Sequence, residues 1–164
     1  MQRSTRTRVW GIGLVGVLVG ALMSIPSAGA GTGGADQRGR QVFVLVQTDP
    51  SVEGGPIAAF GPIHAKGVDV VTGEFRDRFE FPDGNLVIRH RPRAGSGQET
   101  FDEETCYFTF SERGRWWVVR GTGAYADASG GGQYRALGEG FACSETEPPE
   151  VFYVKIRAHG HLSY

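Results

Sequence analysis

Cysteine is scarce in this 164-residue sequence, which contains two, and charge of neither sign predominates. The 17 Lys and Arg residues balance 18 Asp and Glu residues, and the basic residues form no stripe of the kind that binds nucleic acid. Beyond residue 30 no segment keeps the 3.6-residue apolar period of an amphipathic helix. We therefore expect no nucleic-acid partner and a domain without a helical core.

The sequence also lacks the motifs that identify common enzyme classes. It has no GxSxG nucleophile elbow, no phosphate-binding loop and no dinucleotide fingerprint. Gly121-Thr-Gly123 is no nucleotide motif, because strands are predicted on both sides of it, whereas cofactor loops of that type open a helix. His159 and His161 lie near the C-terminus, where chains tend to fray. We predict neither a cofactor nor a metal site.

The only long apolar run is at the N-terminus. Three arginines precede an apolar run over residues 9–23, and residues 27–30 supply small side chains in an Ala-x-Ala arrangement. This pattern predicts a secretory signal peptide over residues 1–30. A membrane anchor is the alternative, but the run is shorter than the ~20 apolar residues of a spanning helix, and four glycines interrupt it.

Cleavage after residue 30 would leave a secreted chain without a membrane span. We expect a flexible Gly-rich tail over residues 31–39 and one domain over residues 40–164. An even cysteine count in an oxidising compartment favours a Cys106–Cys143 disulfide. A simple meander of the predicted strands would instead separate these cysteines by more than the ~7 Å that a disulfide allows between Cα atoms. The sequence leaves both outcomes open.

Short strand signals follow one another through the exported part and predict an all-β domain. Residues 49–56, 92–103 and 112–115 carry the polar and Gly/Pro-rich composition of turns and loops. The eight predicted strands are residues 41–48, 63–71, 74–81, 86–91, 105–111, 116–122, 133–143 and 151–159. A closed eight-stranded antiparallel barrel suits this pattern best, because closure removes exposed edges; a β-sandwich is the alternative.

A glycine-rich corner between the sixth and seventh predicted strands points to a family. Arg120-Gly-Thr-Gly-Ala-Tyr125, followed by Ala128-Ser-Gly130 and Gly132-Gln-Tyr134, resembles the GTG-x-[FY]-x-x-A-x-G signature of the allene oxide cyclase and dirigent barrel superfamily. The hairpin turn Phe81-Pro-Asp-Gly-Asn85 fits a turn that precedes this segment in dirigent-like sequences. Length, cysteines and export signal are more similar to the secreted actinobacterial members than to the plant enzymes.

The resemblance implies a barrel with an apolar central cavity, often assembled as a dimer or trimer. It also implies activities that range from cyclisation to stereochemical guidance of radical coupling. The catalytic carboxylates and tyrosines of the plant enzymes do not match motifs in this sequence, so the resemblance assigns no catalytic residue here.

Alternation along the third predicted strand places Phe75, Asp77, Phe79 and Phe81 on one face, which we expect to point towards the barrel axis. A carboxylate among three phenylalanines has its pKa raised by desolvation unless a partner meets it, which suits proton transfer near neutrality. Asp77 is therefore the candidate catalytic residue. The alternatives are a structural ion pair, which is the commoner role of a paired buried charge, and a position near the barrel mouth.

Further polar candidates lie close to apolar positions. His90 shares the face of Leu86 and Ile88, where it can act as a base or simply lie at the barrel mouth. Arg120 shares the face of Trp116, so it can pair with Asp77 across the interior or stack on Trp116 or Tyr134. Tyrosines flank the glycine corner. The predicted ligand-binding set is Phe75, Asp77, Phe79, His90, Arg120, Tyr125 and Tyr134.

Three functions are consistent with these residues. The first is a secreted barrel that binds a small apolar or aromatic molecule in its cavity. The second is a cyclase or isomerase in which Asp77 moves a proton. The third is a protein- or surface-interaction module, motivated by Trp116-Trp117, because alternation along a strand turns one of the two rings outward.

Overall fold

The computed structural model describes residues 37–144 and 148–164. The predicted signal peptide and residues 31–36 of the predicted tail lie outside the described residues. The first strand begins at Arg38, two residues before the predicted start of the domain.

Nine antiparallel strands and one short 3₁₀ helix form the described structure. The strands are β1 (Arg38–Gln47), β2 (Gly55–Phe60), β3 (Ala65–Gly73), β4 (Arg76–Phe81), β5 (Gly84–Pro92), β6 (Gln98–Asp102), β7 (Tyr107–Gly121), β8 (Ser129–Phe141) and β9 (Val151–Ser163), and the 3₁₀ helix is Gly123–Tyr125.

The sheet closes on itself into an eight-stranded barrel. Its strand order is β5-β4-β3-β2-β1-β9-β8-β7-β6, and a further pairing of β5 with β7 completes the ring and leaves β6 outside it. The predicted all-β barrel is thus confirmed, and the alternative of two stacked sheets is excluded. In the described part of the chain no helix is long and apolar enough to cross a membrane.

The eight strands of the barrel are not the eight predicted strands. The predicted turn over residues 112–115 is wrong, because these residues lie inside the single 15-residue strand β7. Gly114 is needed there for a different reason: a Cβ at this position would lie 2.3 Å from Cε1 of Tyr134 on β8. Two strands were missed, β2 at the end of a predicted turn and β6 within a predicted loop.

The uninterrupted β7–β8 hairpin also decides the state of the cysteines. Tyr107 at the start of β7 pairs with Phe141 at the end of β8, so the residues just outside the hairpin are neighbours. Cys106 and Cys143 form a disulfide with a Cα–Cα distance of 4.9 Å. The alternative of two distant cysteines depended on the predicted turn over residues 112–115, and the structure has no such turn.

The β7–β8 hairpin is longer than the barrel wall. β7 pairs with β6 over residues 107–111 and with β5 over residues 114–121, so only its second half closes the ring. We call β6, residues 107–111 of β7 and residues 137–141 of β8 the extension. The disulfide lies at the far end of this extension.

One end of the barrel is filled with apolar side chains, and we call it the packed end. Phe43 is fully buried, and its ring centroid lies 5.2 Å from that of Phe79 and 5.4 Å from that of Trp116. Gln41 is also fully buried; its side-chain amide donates to the carbonyl of Ile63 and accepts from the Ile63 N–H. Other buried members of this end are Phe81, Leu86, Tyr125 and Leu162.

Candidate functional site

A cavity of about 270 Å³ occupies the other end of the barrel, beside the extension. Its apolar lining consists of Leu45, Val71, Phe79, Ile88, Trp116, Ala136, Ile156 and Ala158. Phe79 and Trp116 pack on Phe43 beneath them, so the core of the packed end forms the cavity floor. The polar lining residues are Gln47, Asp69, Glu74, Asp77, His90, Glu112 and Tyr134.

Asp69 is the most deeply buried carboxylate of this site. It lies on β3 opposite Gly55 of β2 and Phe79 of β4, and the alternation of β3 turns its side chain inward. Its relative exposure is 7%, and its Oδ1 atom has no hydrogen-bond partner among the described residues. Burial, with a smaller contribution from the charge of Asp77, raises the pKa of the Asp69 carboxyl to about 8.

Asp77 lies on β4 and meets His90 of β5. Oδ2 of Asp77 is 3.4 Å from Nε2 of His90, and the two side chains are 14% and 27% exposed. Burial raises the pKa of the Asp77 carboxyl, and the charge of His90 opposes this rise. Asp77 is thus partly buried at the cavity wall, and its partner is a histidine, which can exchange a proton with it.

Tyr134 and Glu112 form a second polar pair at the cavity wall. The Tyr134 hydroxyl donates to Oε1 of Glu112 at 2.5 Å, and burial followed by this hydrogen bond raises the tyrosine pKa. The Tyr134 ring meets His90 edge to face with centroids 5.9 Å apart. The two pairs therefore touch through His90 and Tyr134, and form one continuous polar rim.

Four of the seven predicted ligand-binding residues line the cavity: Asp77, Phe79, His90 and Tyr134. Tyr125 does not, because it is buried at the packed end, where its ring lies 4.9 Å from that of Tyr164 and 6.2 Å from that of Phe81.

The prediction that Phe75 points towards the barrel axis is wrong. β4 begins one residue later, at Arg76, and a register shift between Val71 and Gly73 precedes it, so strand alternation does not extend to Phe75. Phe75 is 40% exposed, and its ring packs edge to face on His90 with centroids 5.9 Å apart.

Arg120 does not reach the interior either. β7 and β5 change register between Val87 and Ile88, so Arg120 pairs with Val87 whereas Val118 pairs with Ile88. The additional residue in this bulge, Val119, reverses the alternation. Arg120 is exposed on the outer surface as a result. The predicted pairing with Asp77 and the predicted stacking on Trp116 or Tyr134 both assumed an inward side chain, and both are wrong.

Sequence reasoning missed Asp69 and Glu112. Asp69 lay within a predicted strand, as a single carboxylate among the valines of Val68-Asp-Val-Val71, and this was a usable signal. Glu112 was assigned to a turn that does not exist. In residues 37–144 and 148–164, no group of three or more His, Cys, Asp or Glu side chains is placed to hold a metal ion.

The fold and the cavity together define a closed β-barrel with one packed end and one end open to a small-molecule-sized site. Comparison of the chain with protein-family models, with curated proteins and with solved structures found no match in any of the three.

Proposed function

We propose that this protein is a secreted binding protein that holds a small apolar or aromatic molecule in the cavity of its barrel. The observation that carries the proposal is the cavity itself, whose lining is mainly apolar and whose floor is a cluster of packed aromatic rings. Sites of this form, with a few polar groups on an otherwise apolar wall, are typical of small-molecule binding. The disulfide and the sequence pattern of residues 1–30 support export.

The resemblance to allene oxide cyclases and dirigent proteins supports the same proposal. It rests on the glycine corner and the hairpin turn, and an eight-stranded barrel is the fold that it implies. Gly121 fits a corner position, because a Cβ there would lie 1.7 Å from the carbonyl oxygen of Tyr125. Gly123 has φ +61°, a conformation that favours glycine.

Titration with the neutral dye N-phenyl-1-naphthylamine tests the proposal. Ala136→Phe fills the cavity and should weaken dye binding by about tenfold or more, because the added ring occupies the apolar space. Leu137→Phe is the matched control, since Leu137 is the next residue on β8 and is 41% exposed on the outer face. Equal binding by both variants, or none by the parent protein, would contradict a ligand-binding cavity.

A second function is favoured by the Asp77–His90 pair. A carboxyl group with a raised pKa, in contact with an imidazole above an apolar cavity, can take a proton from a bound molecule and return it elsewhere. This suits a cyclase or isomerase acting on a small hydrophobic metabolite. Asp77→Asn should then reduce turnover of a substrate by about a hundredfold or more without weakening its binding. Unchanged turnover would exclude Asp77 as the proton-transferring group.

A further inference from the structure

The ionisable side chains that line the cavity are mostly acidic. Four carboxyl groups line it, from Asp69, Glu74, Asp77 and Glu112, and His90 is paired with Asp77. Among the described residues that line the cavity there is no lysine or arginine. A small site that is lined by acidic groups and has no basic side chain favours a positively charged ligand group over a negatively charged one.

One of these carboxyl groups, that of Asp69, has a buried oxygen without a hydrogen-bond partner. Its side chain is more than nine-tenths buried, it lines the cavity, and its Oδ1 atom lacks a hydrogen-bond partner in the described structure. A buried polar atom without a hydrogen-bond partner is costly, and a native structure normally satisfies it. The other carboxylates differ, because Asp77 meets His90 and Glu112 accepts from Tyr134.

We infer that the ligand carries a protonated amine on its apolar body, and that Asp69 accepts a charge-assisted hydrogen bond from this ammonium group. The inference rests on the proposed binding function and names the chemical class of its ligand. The ammonium would give the Asp69 carboxylate a hydrogen-bond donor, while the rest of the molecule would lie against the apolar wall of Leu45, Ile88 and Ile156.

Binding of a positively charged ligand should change the protonation state of Asp69. The Asp69 carboxyl, with a pKa of about 8, is largely protonated near pH 7 in the free protein. An ammonium ion favours the carboxylate form, so binding releases a proton and becomes tighter as the pH rises from 6 to 8. The ionisable groups that line the cavity with Asp69 are Glu74, Asp77, His90, Glu112 and Tyr134, from the β3–β4 turn, β4, β5, β7 and β8. The groups near Asp69 from the other side are uncharged: Gln47 of β1, Gly54 and the first residue of β2, Gly55.

Three probes with one skeleton test the inference by titration calorimetry: 1-naphthylmethylamine, 1-naphthalenemethanol and 1-naphthoate. At pH 7.5 the affinity for the amine should be higher than that for the alcohol by about tenfold or more, because only the amine forms a charge-assisted hydrogen bond. The acid should bind most weakly. Titration of the amine in two buffers of different ionisation enthalpy should report proton release.

Variants assign the effect to one carboxylate. Asp69→Asn should weaken binding of the amine by about tenfold and leave the alcohol unchanged, because only the ammonium needs the negative charge. Asp127→Asn, on an exposed turn, is the control and should change neither. Thermal melts of both variants show that they are folded.

The outcomes separate the inference from the proposed function. Binding of the alcohol or the acid as tightly as the amine, proton uptake with the amine, or an unaffected Asp69→Asn variant would overturn the inference and leave a ligand-binding cavity intact. Failure of all three probes to bind would overturn the proposed function, and the inference with it.

Discussion

The two ends of the barrel are built from the same strands but differ in what their side chains can do. On β1, the fully buried Phe43 belongs to the packed end and Gln47 to the cavity. On β5, Leu86 is fully buried at the packed end, whereas His90 lies on the cavity rim. Both strands thus pass from apolar packing to polar lining within a few residues. The packed end therefore provides the stability on which the buried, unsatisfied carboxyl of Asp69 at the cavity end depends.

The largest expected effect comes from breaking the packed end. Phe43→Ala should lower the free energy of unfolding by about 3–5 kcal/mol, because it removes the ring on which Phe79 and Trp116 pack and leaves a void. Phe60→Ala is the matched control on the neighbouring strand β2, where Phe60 is 48% exposed. Urea unfolding measures both. Equal losses for the two variants would contradict the position of the core.

Removal of the disulfide should have the next largest effect. The Cys106–Cys143 bond closes the β7–β8 hairpin across a sequence separation of 37, so its loss increases the freedom of the unfolded chain. The double variant Cys106→Ser/Cys143→Ser should be about 2–4 kcal/mol less stable in urea unfolding. Adding a reductant should lower the stability of the parent protein but not that of the double variant. An unchanged unfolding midpoint in the variant would show that the bond does not constrain the hairpin.

Asp69→Asn should change the pH dependence of stability at the cavity end. In the folded protein Asp69 keeps its proton up to about pH 8, whereas an aspartate in the unfolded chain loses its proton at about pH 4. The folded state therefore binds more protons between these values, and the free energy of unfolding falls as pH rises, by up to about 1.4 kcal/mol per pH unit. The variant lacks this contribution, so its stability relative to the parent should increase from pH 5 to pH 7. A constant difference would contradict a buried, protonated Asp69.

The smallest effect is expected for Arg120→Ala. Because the β-bulge turns Arg120 to the outer surface, its removal should change the free energy of unfolding by no more than about 0.5 kcal/mol. Binding of 1-naphthylmethylamine should not change. A tenfold change in affinity would place the guanidinium in the cavity, where strand alternation alone had predicted it.

The strands and the barrel could be predicted because they depend on local patterns. Alternation, turn residues and the absence of helical periodicity are all encoded in neighbouring positions. Gly114 is a position that local sequence patterns do not predict correctly. Its sequence context, Arg113-Gly-Arg115, is typical of a turn, but the glycine is required by the ring of Tyr134 on another strand. A contact between strands cannot be read from either strand alone.

The candidate site was partly predictable for the same reason. Asp77 and His90 were identified because regular alternation continues through β4 and β5. Arg120 and Phe75 were misplaced because a bulge and a register shift interrupt the alternation. Such irregularities depend on how strands pair in three dimensions, so a two-residue period in the sequence cannot reveal them.

The most direct test of the division into a packed end and a binding end is a methyl NMR titration with 1-naphthylmethylamine. We predict chemical-shift changes at Leu45, Ile88 and Ile156, which line the cavity, and none at Ile63 and Leu162, which are buried at the packed end. Changes centred on Ile63 and Leu162, or no change at the cavity methyls under saturating probe, would contradict the account.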